Sequence, residues 1–259
     1  MLFRSPCVRC NPLLKFGVLA ERAAERFGAR WFATGHYARV EIDTSTGLYL
    51  LRRGRSPKDQ SYFLAFLSQA QLARALFPLG SLDKAEVRRL AAPLGLESAA
   101  ESQDFAGRGG RDLLAGRGAG PGPIKDLLGA RLGTHPGIQF FTVGQRRGLG
   151  LPGRRPLHVL RIDPAENALI VGDKELLLAR ELGASSVSWI DGTGPQTRIA
   201  ALVQIRHRHP AAPATIAPAG PRSVRVHFQS PQSAIAPGQA AVFYSGDRVL
   251  GGGDRKSVV

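Results

Sequence analysis

Cys7 and Cys10 are the only thiols in 259 residues, and they stand three apart near the start of the chain, within Ser5–Phe16, SPCVRCNPLLKF. The chemistry open to such a pair is nucleophilic or redox. Asn11-Pro12 predicts a helix start, with Asn as N-cap and Pro at the first helical position. Cys10 would then face free backbone N–H groups and the positive end of the helix dipole, both of which favour thiolate over thiol. That placement predicts a nucleophile at Cys10, with Cys7 close enough to act as a resolving thiol or to share a metal. One CxxC supplies too few ligands for a structural zinc site. His207 and His209 would add two, but nothing in the sequence places them near the cysteines. Two incidental buried cysteines is the plainer alternative.

Three basic or polar loops invite a second chemistry. Gly144–Gly150, GQRRGLG, puts Arg146 and Arg147 in a glycine-bounded turn. Ile205–His209, IRHRH, puts Arg206 and Arg208 on one face of an expected strand. Arginines so placed hold phosphates without reading sequence. Pro57–Phe63, PKDQSYF, mixes Lys58, Asp59 and Gln60 with aromatics, which suits contact with RNA bases or backbone. Thirty-five Lys and Arg against 20 Asp and Glu give a net charge of +15, spread along the chain. A polyanion met over a broad face fits that distribution. The competing reading is a compositional excess of Arg displayed on solvated faces.

The elements that must position these residues fall into two grammars. Leu13, Phe16, Ala20, Ala24 and Phe27 recur at helical spacing after Pro12, and Gly28 can close that helix. A short apolar strand in RWFATGHYARV follows, then a hairpin in ARVEIDTSTGLYLLRR. Two further helices are expected, one over Ser68–Phe77 and one in SLDKAEVRRLAAPLGL. The second carries Asp83 and Glu86 as a capping pair and an apolar face of Val87, Leu90, Ala91 and Leu94. A Gly-rich basic segment, Ala106–Pro123, reads as a linker. Beyond it come short strands only, including GIQFFTVGQRRGLGL, RPLHVLRID, NALIVG, SVSWIDG, TRIAALVQIRHRH, SVRVHFQS and QAAVFYSG, in sandwich or barrel style. The predicted fold class is α/β plus all-β. No apolar run is long enough for a membrane span, and two cysteines in this length suit a reducing compartment, so a cytoplasmic protein is expected.

Taken in order, PCVRCNPLLKFG, GARWFATGHYAR, KDQSYFL, LFPLGSLDKAEVRRLA, GIQFFTVGQRRGLG and SPQSAIAPGQAAVFYSGDRVLGGG resemble successive blocks of the tRNA-specific 2-thiouridylases, from about Pro6 to Gly253. The resemblance implies an ATP-dependent sulfurtransferase that replaces the C2 oxygen of the wobble uridine with sulfur delivered as a cysteine persulfide. It implies an ATP-pyrophosphatase-type α/β domain, a small central β domain and a C-terminal β-barrel. On that basis the expected divisions are 1–107, a linker at 108–124, 125–195, 196–253 and a tail at 254–259. Cys10 matches the nucleophile, while Ser5, Pro6 and Cys7 match the segment that touches the target base. Gly35 matches an ATP contact and His36 a tRNA contact. Lys58, Asp59 and Gln60 match a tRNA-binding loop, and Arg206, His207 and Gln239 match contacts in the last module. The implied partners are tRNA and a persulfide donor protein, with ATP and Mg2+ as cofactors, no firm metal site and no membrane.

The chain departs from that pattern in three places. The family's amino-terminal pyrophosphate loop does not precede Pro6, so the reading is of a fragment of such an enzyme. A second catalytic cysteine would fall in Glu101–Gly110, ESQDFAGRGG, where there is none, and Cys7 is expected to take its thiol role. The ends, Leu2–Ser5 and Asp254–Val259, look foreign and resemble translated sequencing adapter. The rival reading is a non-catalytic tRNA-binding remnant. A CxxC redox protein fits less well, because no strand precedes Cys7.

Overall fold

The computed structural model describes residues 6–95, 119–152 and 155–256. The chain is helical from Pro6 to Phe27, through α1 (Pro6–Cys10), a wider π-wound stretch (Asn11–Leu19) and α2 (Ala20–Phe27). The expected start at Asn11-Pro12 is therefore wrong. Cys10 has helical angles (φ −60°, ψ −41°), and Asn11 donates its side-chain amide to the Phe63 carbonyl at 3.0 Å instead of capping. Pro12 has no N–H for the preceding turn and crowds its carbonyls. The wide winding accommodates it, and the helical run is kinked at Gly17, whose angles (φ −97°, ψ −111°) are not helical. Gly28 closes α2 in the left-handed region (φ 63°), its N–H on the Ala24 carbonyl at 2.9 Å.

β1 (Phe32–Ala33) leads to the expected hairpin of β2 (Ala38–Ile42) and β3 (Tyr49–Arg53), turned at Asp43–Gly47. The helix expected over Ser68–Phe77 is only α3 (Gln69–Leu72), capped by Ser68. The chain then extends into β4 (Ala75–Leu76), which pairs in parallel with β1; that non-local pairing overrides the helical pattern. α4 (Lys84–Ala91) has its capping box, Glu86 N–H to Asp83 at 2.8 Å and Asp83 N–H to Glu86 at 2.7 Å. Its apolar face is not buried among the described residues: Leu90 and Leu94 stay 56% and 70% exposed.

The β-rich remainder makes two sheets. β5 (Gly122–Lys125), β6 (Arg131–His135), β7 (His158–Asp163) and β8 (Ala168–Gly172) lie in the order β6-β5-β8-β7, with β5 and β8 parallel. Ile124, Phe141, Val159 and Leu169 fill its core. GIQFFTVGQRRGLGL is not a strand: it is a helical turn at Ile138–Phe140 followed by turns at Gly144 and Gly148, whose positive φ values (86° and 79°) break any ladder.

The second sheet closes. β9 (Leu178–Trp189), β10 (Ile199–Gln204), β11 (Ala212–Gly220), β12 (Ser223–Ser233), β13 (Ala240–Ser245) and β14 (Arg248–Arg255) form a six-stranded barrel in the order β10-β11-β12-β9-β14-β13 and back to β10. Leu182, Val203, Ile216, Val226, Phe228 and Phe243 pack inside it. Two expected boundaries shift. β9 bonds to β12 and β14, so the middle sheet ends before residue 178, not at 195. Asp254 and Arg255, set apart above as a tail, continue β14.

The α/β part and the barrel share a core. β3 joins the edge of β14 through the Arg52–Arg248 register, and Asp247 binds Arg39 and Arg52, each at 2.6 Å. Val8, Leu51, Tyr62, Leu72, Val242, Tyr244 and Val249 form one buried cluster across that junction.

Candidate functional site

A groove of about 550 Å³ opens where the two parts meet. One wall carries Tyr37, Arg53, Lys58, Asp59, Gln60, Phe63 and Lys84; the other carries Gln204, His207, Arg208 and His209. Arg53, Lys58, Lys84 and Arg208 face it with Asp59 as the only carboxylate among the described lining, so the groove is electropositive. Phe63 and the His207 ring lie 4.3 Å apart, tilted by 37°, an aromatic pair suited to stacking with an unpaired base.

The loop Pro57–Gln60 builds its own wall. Asp59 accepts from the Gly54 N–H (2.9 Å), the Ser61 N–H (3.0 Å) and the Ser61 hydroxyl (3.0 Å), and reaches Arg53 at 3.5 Å. Gln60 ties to Tyr37 twice, through its side-chain oxygen (3.1 Å) and its N–H (2.8 Å). Both side chains hold the loop's shape, which leaves Lys58, exposed, as the member of the trio free to meet a ligand. Sequence reasoning gave all three the same role.

IRHRH is a turn, not a strand: β10 ends at Gln204 and the chain folds back, the His209 N–H on the Arg206 carbonyl at 2.9 Å. The cause is local. Gln204 is 6% exposed, and its side-chain amide donates to the carbonyls of Arg206 (3.2 Å) and His207 (2.7 Å), which a strand would offer to a neighbour. Burial, with Arg206 and Arg255 close by, holds His209 below the ordinary histidine value despite its bond to Pro210, so it is neutral at pH 7.

Cys7 and Cys10 are both half-buried and neither lines the groove. The helix tip expected at Cys10 is not there, because the helix begins upstream of it; Cys7 is the thiol in the first turn. That helix is nevertheless anchored to both parts of the site. Arg9 pairs with Asp254 at 2.5 Å, Val8 enters the shared core, and Asn11 holds the carbonyl of Phe63, whose ring meets His207. The cysteine helix, the Lys58 loop and the 206–209 turn thus meet around Phe63. Pro6 is exposed at the helix start. Ser5 and Glu101–Gly110 lie outside the described residues.

Gly35 and His36 follow the carboxyl end of β1, where open α/β sheets bind ligands. A side chain at Gly35 would meet only Leu79, at 3.5 Å, so the backbone there is unobstructed. The phosphates fare differently: among the described residues, β1 runs through this turn into β2 with no glycine-rich loop and no helix N-terminus to cradle them. Among the described residues no cradle for the phosphates of ATP is present here. His36 packs between Phe16 and Phe77 (ring centroids 6.0 Å from each), with Nδ1 2.8 Å from the Thr34 hydroxyl. Burial, and then Lys15, lower its pKa to about 4, so its ring is neutral at pH 7.

Gln239 is partly engaged: its side-chain oxygen accepts from Arg255 at 3.0 Å. Arg146 lies on the middle sheet's exposed turn, lining a separate cleft with Arg155, and Arg147 is exposed beside it. Among the described residues no group of His, Cys, Asp and Glu could hold a metal, so the histidines do not complete a site with the cysteines. Sequence reasoning missed Arg53, Lys84 and Gln204. Arg53 looked like one more hairpin arginine, and Lys84 like a helix-start lysine. Nothing local marks Gln204 as the hinge of the turn. No helix among the described residues is long and apolar enough to cross a membrane.

Comparison with known proteins covers nearly the whole chain. The tRNA methyl transferase HUP domain profile matches residues 4–107, the tRNA methyl transferase PRC-barrel domain profile 113–173, and the aminomethyltransferase beta-barrel domain profile 179–254. Among curated relatives, the tRNA-specific 2-thiouridylase MnmA of Synechococcus sp. (strain JA-3-3Ab) is 47% identical over 256 residues, 96% of this chain and 69% of that protein. Proteins of the same name from Desulforudis audaxviator and Geobacter metallireducens are 48% and 46% identical over 96% of the chain, covering 74% and 69% of their own lengths. The break between the second and third profiles coincides with the passage from the middle sheet to the barrel, and the match runs through every wall of the groove: the chain belongs to the tRNA-specific 2-thiouridylases, a family of sulfurtransferases.

Proposed function

We propose that this chain holds the anticodon arm of a tRNA and presents Cys7 and Cys10 for sulfur transfer to C2 of its wobble uridine. The observation that carries the proposal is the electropositive groove with its Phe63–His207 face, tied through Asn11 to the cysteine helix. A uridine stacked in a loop must be turned out to reach a thiol, at a cost of a few kcal/mol that phosphate contacts offset. Lys58, Arg206 and Arg208, with Gln239 on the barrel, supply those contacts, and His36 meets the RNA as a neutral ring.

In the transfer, the terminal sulfur of a persulfide on one cysteine forms the new bond to C2. The C2–O bond breaks, and the oxygen leaves with the group that activated it. The second thiol breaks the S–S bond, so sulfur stays on the base and the pair is left as a Cys7–Cys10 disulfide, which an external thiol reduces. Activation of the oxygen is the chemistry ATP supplies in this family. Gly35 would touch the nucleotide; the described residues do not hold its phosphates. The sulfur comes from a donor protein.

The test uses mass spectrometry after incubation with a persulfide donor, together with a thiol-retarding gel that reads thiolated tRNA. Persulfide on Cys7 or Cys10, and loss of thiolation in the Cys7→Ser, Cys10→Ser double variant, are expected. Thiolation that survives the double variant overturns the assignment. A second reading, tRNA binding without catalysis, is favoured by one observation: neither cysteine lines the groove. Salt-dependent tRNA binding with no persulfide formed on either cysteine would establish it.

A further inference from the structure

Gln204 sits under the groove with every polar atom of its side chain engaged. Its Nε2 donates to the carbonyls of Arg206 (3.2 Å) and His207 (2.7 Å). Its Oε1 accepts from the Tyr244 hydroxyl at 3.0 Å and lies 3.5 Å from the Arg53 guanidinium. Tyr244 is fully buried, with its hydroxyl pushed up by burial so that it stays a donor, and Arg53 lies flat over its ring at 3.8 Å. The amide cannot flip: its oxygen must face two donors, and its nitrogen two carbonyls. One side chain therefore sets both walls of the groove. Through its nitrogen it bends the chain at 206–207, which sends His207 to Phe63 and Arg208 to the rim. Through its oxygen it helps to hold Arg53, a groove-facing cation that Asp59 meets only at 3.5 Å.

We infer that Gln204 is a positioning residue for RNA, and that it orients Arg53 as a further phosphate contact opposite Arg208. This rests on the reading of the groove as the tRNA site. A buried glutamine whose only task was stability would have no need to join two walls of a basic groove.

The experiment is binding of a tRNA transcript by fluorescence anisotropy over a salt series, each protein held well below its melting temperature. Gln204→Leu is expected to weaken binding about tenfold and to make the slope of log K against log salt shallower by about 1 to 2, the signature of one or two lost phosphate contacts. Arg53→Gln should lose about 1 in slope by itself, with little further loss when added to Gln204→Leu. Tyr244→Phe keeps the ring under Arg53 and removes only the hydroxyl that fixes the amide. It is expected to cost about fivefold, and it carries the test if Gln204→Leu does not fold. A merely structural glutamine would lower the melting temperature and leave the slope of the folded protein unchanged; that result in Gln204→Leu or, failing its folding, in Tyr244→Phe overturns the inference. Salt-insensitive or absent binding by the unsubstituted chain overturns the reading of the groove, and this role with it, and is told apart by needing no variant.

Discussion

In the barrel every strand has two neighbours, and Val203, Ile216, Val226, Phe228 and Phe243 are completely shielded from water. In the α/β part β1 and β4 share two residue pairs, and Leu13, Leu14, Val18 and Leu19 on one helical stretch are each more than half exposed, with Phe27 at 75%. Closure explains the first: a barrel leaves no edge to protect, so all its inward residues find partners. In the second, the helical apolar pattern is buried only along the line of Val8, Phe16 and Ala20, of which Val8 and Phe16 enter the shared core. The polar machinery follows the same division. The groove is built where the α/β part leans on the closed barrel, with Gln60, Asp59 and Gln204 each bonded on several sides.

Five measurements set the closed barrel against the α/β part. Phe228→Ala, in the barrel core, should cost about 3–5 kcal/mol in denaturant unfolding; a loss below 1 kcal/mol would mean that the barrel is not the stable half. Arg255→Leu should stabilise. Arg255 is 1% exposed, two of its guanidinium nitrogens have no hydrogen-bond partner among the described residues, and burial, with Arg206 nearby, lowers its pKa to about 10. The buried charge then costs on the order of 3 kcal/mol below pH 10. As pH rises above about 10 the unfolded chain binds more protons, so stability should rise with pH there in the parent and not in Arg255→Leu.

His36 gives the α/β part its own signature. Its folded pKa of about 4 lies below the ordinary 6.5, so its contribution is intact above pH 6.5 and is lost as pH falls toward 4, by at most about 3 kcal/mol. His36→Gln should remove that acid sensitivity; an unchanged acid profile would show that the ring is not buried. Asp83→Ala, which removes half of the α4 capping box, should cost about 1 kcal/mol, read by thermal melting. Leu14→Ser, on the exposed face, should change stability by less than about 0.5 kcal/mol and reduce self-association in light scattering. A large loss would show that this face is covered.

Where the sequence was legible, the signal was short-range. The β2–β3 hairpin declared itself by alternation around Ser-Thr-Gly, α4 by Asp83 and Glu86, and the end of α2 by Gly28. The expectations that failed had good local patterns that a distant partner overrode. Asn11 looked like an N-cap until the Phe63 carbonyl, 52 residues away, claimed its amide. Ala75–Leu76 looked helical until β1 drew it straight. IRHRH alternated like a strand, but Gln204, its side chain fixed by Tyr244, captured two of its carbonyls. The candidate site shows the same split. Lys58, Arg206 and His207 were visible as basic or aromatic-rich loops. That Asp59 and Gln60 point into their own loop, and that Arg53 and Lys84 join them, required knowing which strands lie side by side.

By itself the sequence determined the order of the parts, α/β then all-β, and the identity of the two thiols and the basic loops, because residue type and spacing of two to four positions record which face of an element is apolar and where it must turn. Where the helix begins, which strands close the barrel and which polar side chains look into the groove depend on long-range packing. Those outcomes are set by bonds between residues tens to hundreds of positions apart, and no local pattern carries the energy of a contact whose partner it does not contain.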